Sequence, residues 1–292
     1  MAKPGFSGLI SVIVATYNRS DALLAVLDGF NSQTDRGFEV IVADDGSRAE
    51  HVEALVRHTT EWNFPLRHVW HPDIGFTLAA VRNLGVLQAN GAYLVFLDGD
   101  CIPQPDFIAR HRSLARPRTF VIGSRILLDA TLSRAIAAER PIIPLGNIWR
   151  RCRLRAGGHI NKLLATFIRW PSHLRKQRAT FRWKGIRGCN MALWRSDYEV
   201  INGFDESFDG WGHEDADIVL RLHRAGCSRI DGYWSTEVLH LWHPEASRGQ
   251  ENENYRRVLE RIRDPACNAA ATRGLSNSQG AFNTVKITTL SV

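Results

Sequence analysis

The stretch Gly210–Leu222, GWGHEDADIVLRL, sets Glu214, Asp215 and Asp217 within four positions, beside Trp211 and His213. An apolar, helix-like pattern follows, so the acids stand at the mouth of a helix. A carboxylate held there can act as a general base, taking the proton from a hydroxyl that is otherwise a poor nucleophile. Acids in a first helical turn also favour the helix dipole by about 0.3–1 kcal/mol each, and Asp217 is assigned to that role. A second acidic group, Asp98-Gly99-Asp100, directly follows the apolar run AYLVFL. Two carboxylates one residue apart at a strand end can hold a hard cation such as Mg²⁺ or Mn²⁺ together with a diphosphate. A polar turn uses the same residues. Asp44-Asp45-Gly46-Ser47 closes another apolar run. A carboxylate there can accept the imide N–H of uracil or thymine, or it can serve a turn and a helix cap. Arg82 is a cation on an otherwise apolar helical pattern. It can pair with a base carbonyl or with a neighbouring aspartate.

These groups need elements to position them. Leu9–Ala15 and Phe38–Ala43 are continuous apolar, β-branched runs, suited to strands buried on both faces. Leu66–Trp70, Ala92–Leu97, Phe120–Leu127 and Cys189–Trp194 read as further strands. Helices are expected over 22–30, Glu50–His58, Thr77–Ala89, Asp106–Ala115, Tyr198–Ile201, Asp215–Arg224 and Tyr255–Arg263. Strand–helix alternation over the first hundred residues predicts an α/β fold, a mostly parallel sheet flanked by helices. Ligands of such sheets bind beyond the carboxyl ends of the strands, where TYNR, DDGS and DGD all fall. Residues from about Pro265 onward are small and polar and read as a loose tail.

The 292 residues carry 44% hydrophobic and 23% charged side chains, ordinary for a globular protein. No apolar run is long enough to cross a membrane, and MAKPGFSG does not read as a signal peptide. Five scattered cysteines without a CxxC argue for reduced thiols, a cytoplasmic setting and no zinc module. The net charge of +7 is unevenly spread: Arg140–Arg195 holds fourteen cations and no acid, leaving −7 for the rest. That segment interleaves its cations with Trp149, Phe167, Trp170 and Trp183, a pattern suited to an anionic membrane surface. No nucleic-acid motif accompanies it, and a nucleic-acid partner is not expected.

In combination and order, SVIVATYNR, EVIVADDGS, GFTLAAVRNLGV and YLVFLDGDCIPQPDF resemble the family 2 glycosyltransferases of GT-A fold. RGCNMALWRSDYEVINGFDESFDGWGHEDADIVLRL resembles the module shared by β-1,4-galactosyltransferases, polypeptide N-acetylgalactosaminyltransferases and bacterial chondroitin polymerases. The resemblance covers about 9–127 and 182–262. It implies a Rossmann-like GT-A domain whose nucleotide-sugar half is 1–128 and whose catalytic, acceptor-side half is 188–264. A basic insertion, 129–187, separates them, and 265–292 follows. Thr16, Tyr17, Asp44, Asp45 and Arg82 would line the nucleoside pocket. Asp98, Gly99 and Asp100 match the family's DxD motif and would bind the metal, Mn²⁺ or Mg²⁺, and the sugar-nucleotide. Asp215 would be the base and Glu214 a sugar contact, while Asn190, Trp211 and His213 would shape the sugar and acceptor cleft. The galactosyltransferases complete the metal shell with Met-x-x-His. This chain has His240-Leu241-Trp242-His243, which places His243 at the ligand and His240 at the methionine. His213 stands where relatives tend to have glycine.

The expected activity is an inverting, metal-dependent transfer of a hexose or N-acetylhexosamine from a UDP-sugar to a surface glycan such as a lipopolysaccharide core or capsule precursor. It would take place at the cytoplasmic face of the inner membrane, with residues 140–195 on the lipid. Two alternatives stand beside it: a soluble transferase building a chondroitin-like chain, and a catalytically silent sugar-nucleotide- or glycan-binding protein.

Overall fold

The computed structural model describes residues 6–141, 144–244, 249, 251–264, 266–280, 282 and 284–291. In chain order the first half contains β1 (Ile10–Thr16), α1 (Ser20–Asn31), β2 (Phe38–Asp44), α2 (Ala49–Arg57), β3 (Leu66–Trp70), α3 (Leu78–Leu87), β4 (Tyr93–Asp98), β5 (Cys101–Pro103), α4 (Phe107–Leu114), β6 (Thr119–Ile122) and β7 (Ser124–Leu127). The second half adds α5 (Ala130–Glu139), α6 (Ile148–Ala156), β8 (Gln177–Arg178), β9 (Asn190–Trp194), α7 (Arg195–Val200), α8 (Glu214–Arg224), β10 (Ser228–Asp231), β11 (Glu237–His240), α9 (Glu251–Arg263) and β12 (Lys286–Ser291).

A nine-stranded sheet in the order β12-β3-β2-β1-β4-β9-β6-β10-β8 forms the body. β1 and β2 are buried along their whole length, as their Val/Ile-rich sequences require. Successive side chains of β1 point to opposite faces. Val12 and Val14 pack with Leu23, Leu27 and Phe30 of α1. Ile13 packs with Val81 and Leu84 of α3 and, through the same core, Ile218 and Leu222 of α8. Each such buried side chain contributes about 1.5–3 kcal/mol. Both faces of the sheet are thereby sealed, and polar groups gather at the strand ends.

The expected α/β sheet is present: β3-β2-β1-β4 and β6-β10 pair in parallel, and β9 runs antiparallel between β4 and β6. Two expectations are corrected. The single strand expected over Phe120–Leu127 is two strands in different sheets. The chain crosses over at Gly123, where an added Cβ would come within 2.2 Å of the Asn190 side chain. β7 leaves to join β11 and β5 in a small three-stranded sheet. Nor is the stretch after residue 265 a loose tail. Its KITTLS segment is β-branched, and it pairs antiparallel with β3, setting Lys286 opposite Trp70. Phe282 stacks on His71 with ring centroids 3.9 Å apart.

Candidate active site

Helix α8 begins at Glu214, so the first carboxylates of GHED stand at its N-terminus. His213, just before it, takes a left-handed conformation with φ 70°. A side chain there costs about 1–2 kcal/mol relative to glycine. Its ring is held between Trp183 and Tyr255, with centroids 5.4 Å from each. Asp215 Oδ2 accepts a 3.1 Å hydrogen bond from the Gly188 backbone N–H, which fixes the carboxylate against the loop entering β9. Burial raises the Asp215 pKa above the usual carboxylate range. Burial, joined by the neighbouring Asp215 charge, pushes Glu214 up to about 7.

The groups facing this pair come from the first half of the chain. Arg82, buried on α3, donates from Nη2 to Asp98 Oδ1 at 2.9 Å and from Nη1 to Glu214 Oε1 at 3.5 Å. One guanidinium thus ties the end of β4 to the start of α8. Arg82 serves neighbouring carboxylates here and contacts neither Asp44 nor Asp45. Arg82, Asp98, Glu214 and Asp215 line a cleft of about 320 Å³, with Trp183, Arg187, Trp211 and His213 among its other walls.

Asp100 turns to a different set. The antiparallel register of β11 and β5 puts His240 opposite Cys101, and Leu241 N–H donates to Asp100 O at 2.9 Å. This brings His243 Nε2 to 3.2 Å from Asp100 Oδ2 and His240 Nε2 to 3.8 Å from Oδ1. One donor atom from each of the three lies within 4.8 Å of the others. A carboxylate with two imidazoles fits a divalent ion, and the nitrogen donors suit Mn²⁺ better than Mg²⁺. Burial lowers the His240 pKa, which keeps the ring neutral as a ligand must be. Arg125 Nη1 lies 3.3 Å from His240 Nε2. Arginine can only donate, so that nitrogen carries its lone pair. Asp98 stands outside this group because its carboxylate is held by Arg82. Gly99 lets the DGD turn lie on β1: its N–H donates to Ala15 O at 2.7 Å, and an added Cβ would meet that same oxygen at 2.9 Å.

At the ends of β1 and β2, Thr16 is buried and the ring of Tyr17 is 47% exposed, its hydroxyl donating to Asp73 at 2.8 Å. Asp44 is committed to structure: it pairs with His68 at 2.9 Å and accepts from Ser47 N–H at 2.8 Å. Asp45 pairs with His71 at 3.1 Å and accepts from Thr77 N–H at 2.9 Å and from the Thr77 hydroxyl.

The remaining expectations meet corrections. Asn190 does not reach the cleft; it is fully buried, and its amide donates to Ser124 O and Thr236 O. Asp217 stands in the first turn of α8, as expected, but its role goes beyond the helix dipole. It is fully buried and salt-bridged to Arg221 at 2.7 Å and to Arg261, which also holds Asp205 at 2.5 Å. The acid-free segment is not one uniform lipid-facing stretch. Arg140 binds Asp28, Arg169 binds Asp106 and Arg178 binds Asp231, while Trp183 and Arg187 wall the cleft. Arg125, Arg187 and the Gly188 N–H were not singled out from sequence, although Arg187-Gly188-Cys189 directly precedes β9. The PEASRGQENEN stretch that follows His243 lies partly outside the described residues.

A large mixed sheet sealed by helices, with polar clusters at its strand ends and a carboxylate pair in one cleft, is the GT-A architecture, and the protein is a glycosyltransferase. The chain belongs to glycosyltransferase family 2, whose family model matches residues 11–198; a model described as the N-terminal domain of galactosyltransferase matches 171–243. Chondroitin synthase of Escherichia coli is 32% identical over 87% of this chain, and that of Pasteurella multocida is 30% identical over 87%. The chain spans only 37% and 26% of their lengths. Among solved structures, a mannosyltransferase from Pyrobaculum calidifontis in complex with GDP-Man and Mn²⁺ superposes with a TM-score of 0.57 at 18% identity, covering 91% of this chain and 69% of that one. S. aureus TarS 1–349 in complex with UDP-GlcNAc gives 0.54 at 13% identity, covering 89% and 68%.

Proposed function

We propose that the protein transfers a hexose or N-acetylhexosamine from a nucleotide-diphosphate sugar, with UDP as the nucleotide, to a hydroxyl of a surface-polysaccharide acceptor, inverting the anomeric carbon. The observation that carries this reading is the Glu214–Asp215 pair facing Asp98 across Arg82 in one cleft, with the Asp100–His240–His243 group linked to the cleft wall through Arg125. Asp215 takes the acceptor proton as the acceptor oxygen bonds to the anomeric carbon and the bond to the diphosphate breaks. Its pKa, raised by burial, makes it a stronger base than a solvated aspartate. Glu214, titrating near 7, hydrogen-bonds sugar hydroxyls. A divalent ion held by Asp100, His240 and His243 would offset the charge of the leaving diphosphate. Tyr17 offers a ring face to the base, and Asp45 retains acceptor capacity for its imide. Trp211 and His213 shape the acceptor side.

Relatives named chondroitin and hyaluronan synthases support a polysaccharide acceptor. No described helix is long and apolar enough to cross a membrane. Contact with an anionic lipid surface rests instead on α6, which exposes Ile148 and Trp149 beside Arg150, Arg153 and Arg155. Binding to anionic vesicles at low salt and release at high salt is expected; no binding at low salt removes that part of the reading. The catalytic part is tested with Asp215→Asn. Turnover should fall by about 10²–10⁴-fold while UDP-sugar binding persists. Unchanged turnover would exclude Asp215 as the base.

A further inference from the structure

A second cavity, of about 240 Å³, opens beside the cleft and shares one wall with it, Arg187. Its other cations are Arg178, Arg182, Lys184 and Arg229, and Asp231 is its one acid among the described residues. Asp231 is already engaged: Oδ2 accepts from Arg178 at 3.0 Å and Oδ1 from Arg229 at 2.8 Å. The Arg229 guanidinium also donates to the carbonyls of Arg182, Lys184 and Gly185 at 3.2–3.3 Å, holding that loop around the cavity. Arg182, Lys184 and Arg187 have no carboxylate partner among the described residues, and Arg187 Nε is buried without a hydrogen bond. Unpaired cations converging on a concavity concentrate positive potential, and a buried unpartnered guanidinium N–H carries a desolvation cost that an anion would relieve. Arginine forks match the paired oxygens of carboxylate and phosphate.

The position says what would bring such an anion. Arg187 is next in sequence to Gly188, whose N–H holds Asp215. A molecule with one hydroxyl at Asp215 meets Arg187 as it extends away from the donor. We propose that this cavity is an acceptor subsite for an anionic group, so that the acceptor is an acidic glycan bearing a carboxylate or phosphate close to the hydroxyl that is glycosylated. This rests on the transferase reading above and names its acceptor class.

The test is calorimetric titration of the full chain with three probes: an oligosaccharide of alternating uronic acid and hexosamine, its carboxyl-reduced counterpart, and inorganic phosphate. At least one anionic probe should bind at least tenfold more tightly than the reduced oligosaccharide, and Arg182→Ala/Lys184→Ala should abolish the difference. A preference for the uronic acid chain identifies a carboxylate, and a preference for phosphate identifies a phosphate-bearing acceptor. Equal binding of charged and reduced chains with no phosphate binding, or undiminished anion binding by the double variant, overturns the proposal. Nucleotide release from donor sugars by the wild-type protein reports the transferase reading separately, so failure of one cannot be mistaken for failure of the other.

Discussion

Replacing Glu214 with glutamine is expected to stabilise the protein at pH 8 while depressing its activity. Burial and the adjacent Asp215 charge raise the Glu214 pKa from 4.5 to about 7, with Arg82 offsetting only part of the effect. The folded state therefore holds this proton more tightly than the unfolded chain. The group's contribution to stability is complete below about pH 4.5 and is lost as pH rises through about 7. At 1.36 kcal/mol per pH unit, the loss amounts to about 3 kcal/mol. Glutamine keeps the shape and does not titrate, and Arg82 retains Asp98 at 2.9 Å. The variant should match the wild type near pH 4.5 and exceed it by about 3 kcal/mol at pH 8, or roughly 6–12 °C in Tm. Urea unfolding across pH 4.5–8 in chelator measures this directly. A difference that is flat with pH, or that grows toward acid, would refute the claim that Glu214 is a carboxylate strained by burial beside Asp215.

Three further outcomes are expected. Asp217→Asn strips Arg221 and Arg261 of a buried charge partner and should cost about 3–5 kcal/mol in chemical denaturation. His243→Ala should weaken Mn²⁺ binding at least tenfold in calorimetry and leave the weaker Mg²⁺ binding less affected, because the lost donor is an imidazole. Deleting residues 284–292 uncovers the edge of β3; amide protection there should fall selectively, and light scattering should show faster aggregation.

Much of the fold was legible because it is written locally. β1, β2 and β4 are short apolar runs ended by TYNR, DDGS and DGD, and a parallel sheet gathers such ends along one edge. GHED announced itself by three acids before an amphipathic helix. The other features depend on partners distant in sequence. Asp217 and Arg221 have the spacing of a helical ion pair, yet its burial comes from Arg261 and Asp205 on other elements. Trp183 and Arg187 have the composition of a lipid-facing segment, and only the fold turns them toward Asp215. Asp98 and Asp100 look equivalent in DGD. Their division of labour, one to Arg82 and one to the histidines, follows from the pairing of β5 with β11. KITTLS was masked by polar neighbours, since a strand six residues long on a sheet edge needs no apolar run.

The pairing of β12 with β3 also orders events in time. β3 ends at Trp70 and β12 begins at Lys286, more than two hundred residues later. At roughly 5–20 residues per second, a growing chain displays an unpaired strand edge for about 10–40 s before its cover emerges. Through that interval the first half of the chain is complete in its internal pairings β3-β2-β1-β4 but open at the β3 edge. During synthesis the hazard is therefore set by elongation rate and chaperone occupancy, and it is greatest for the half that folds first.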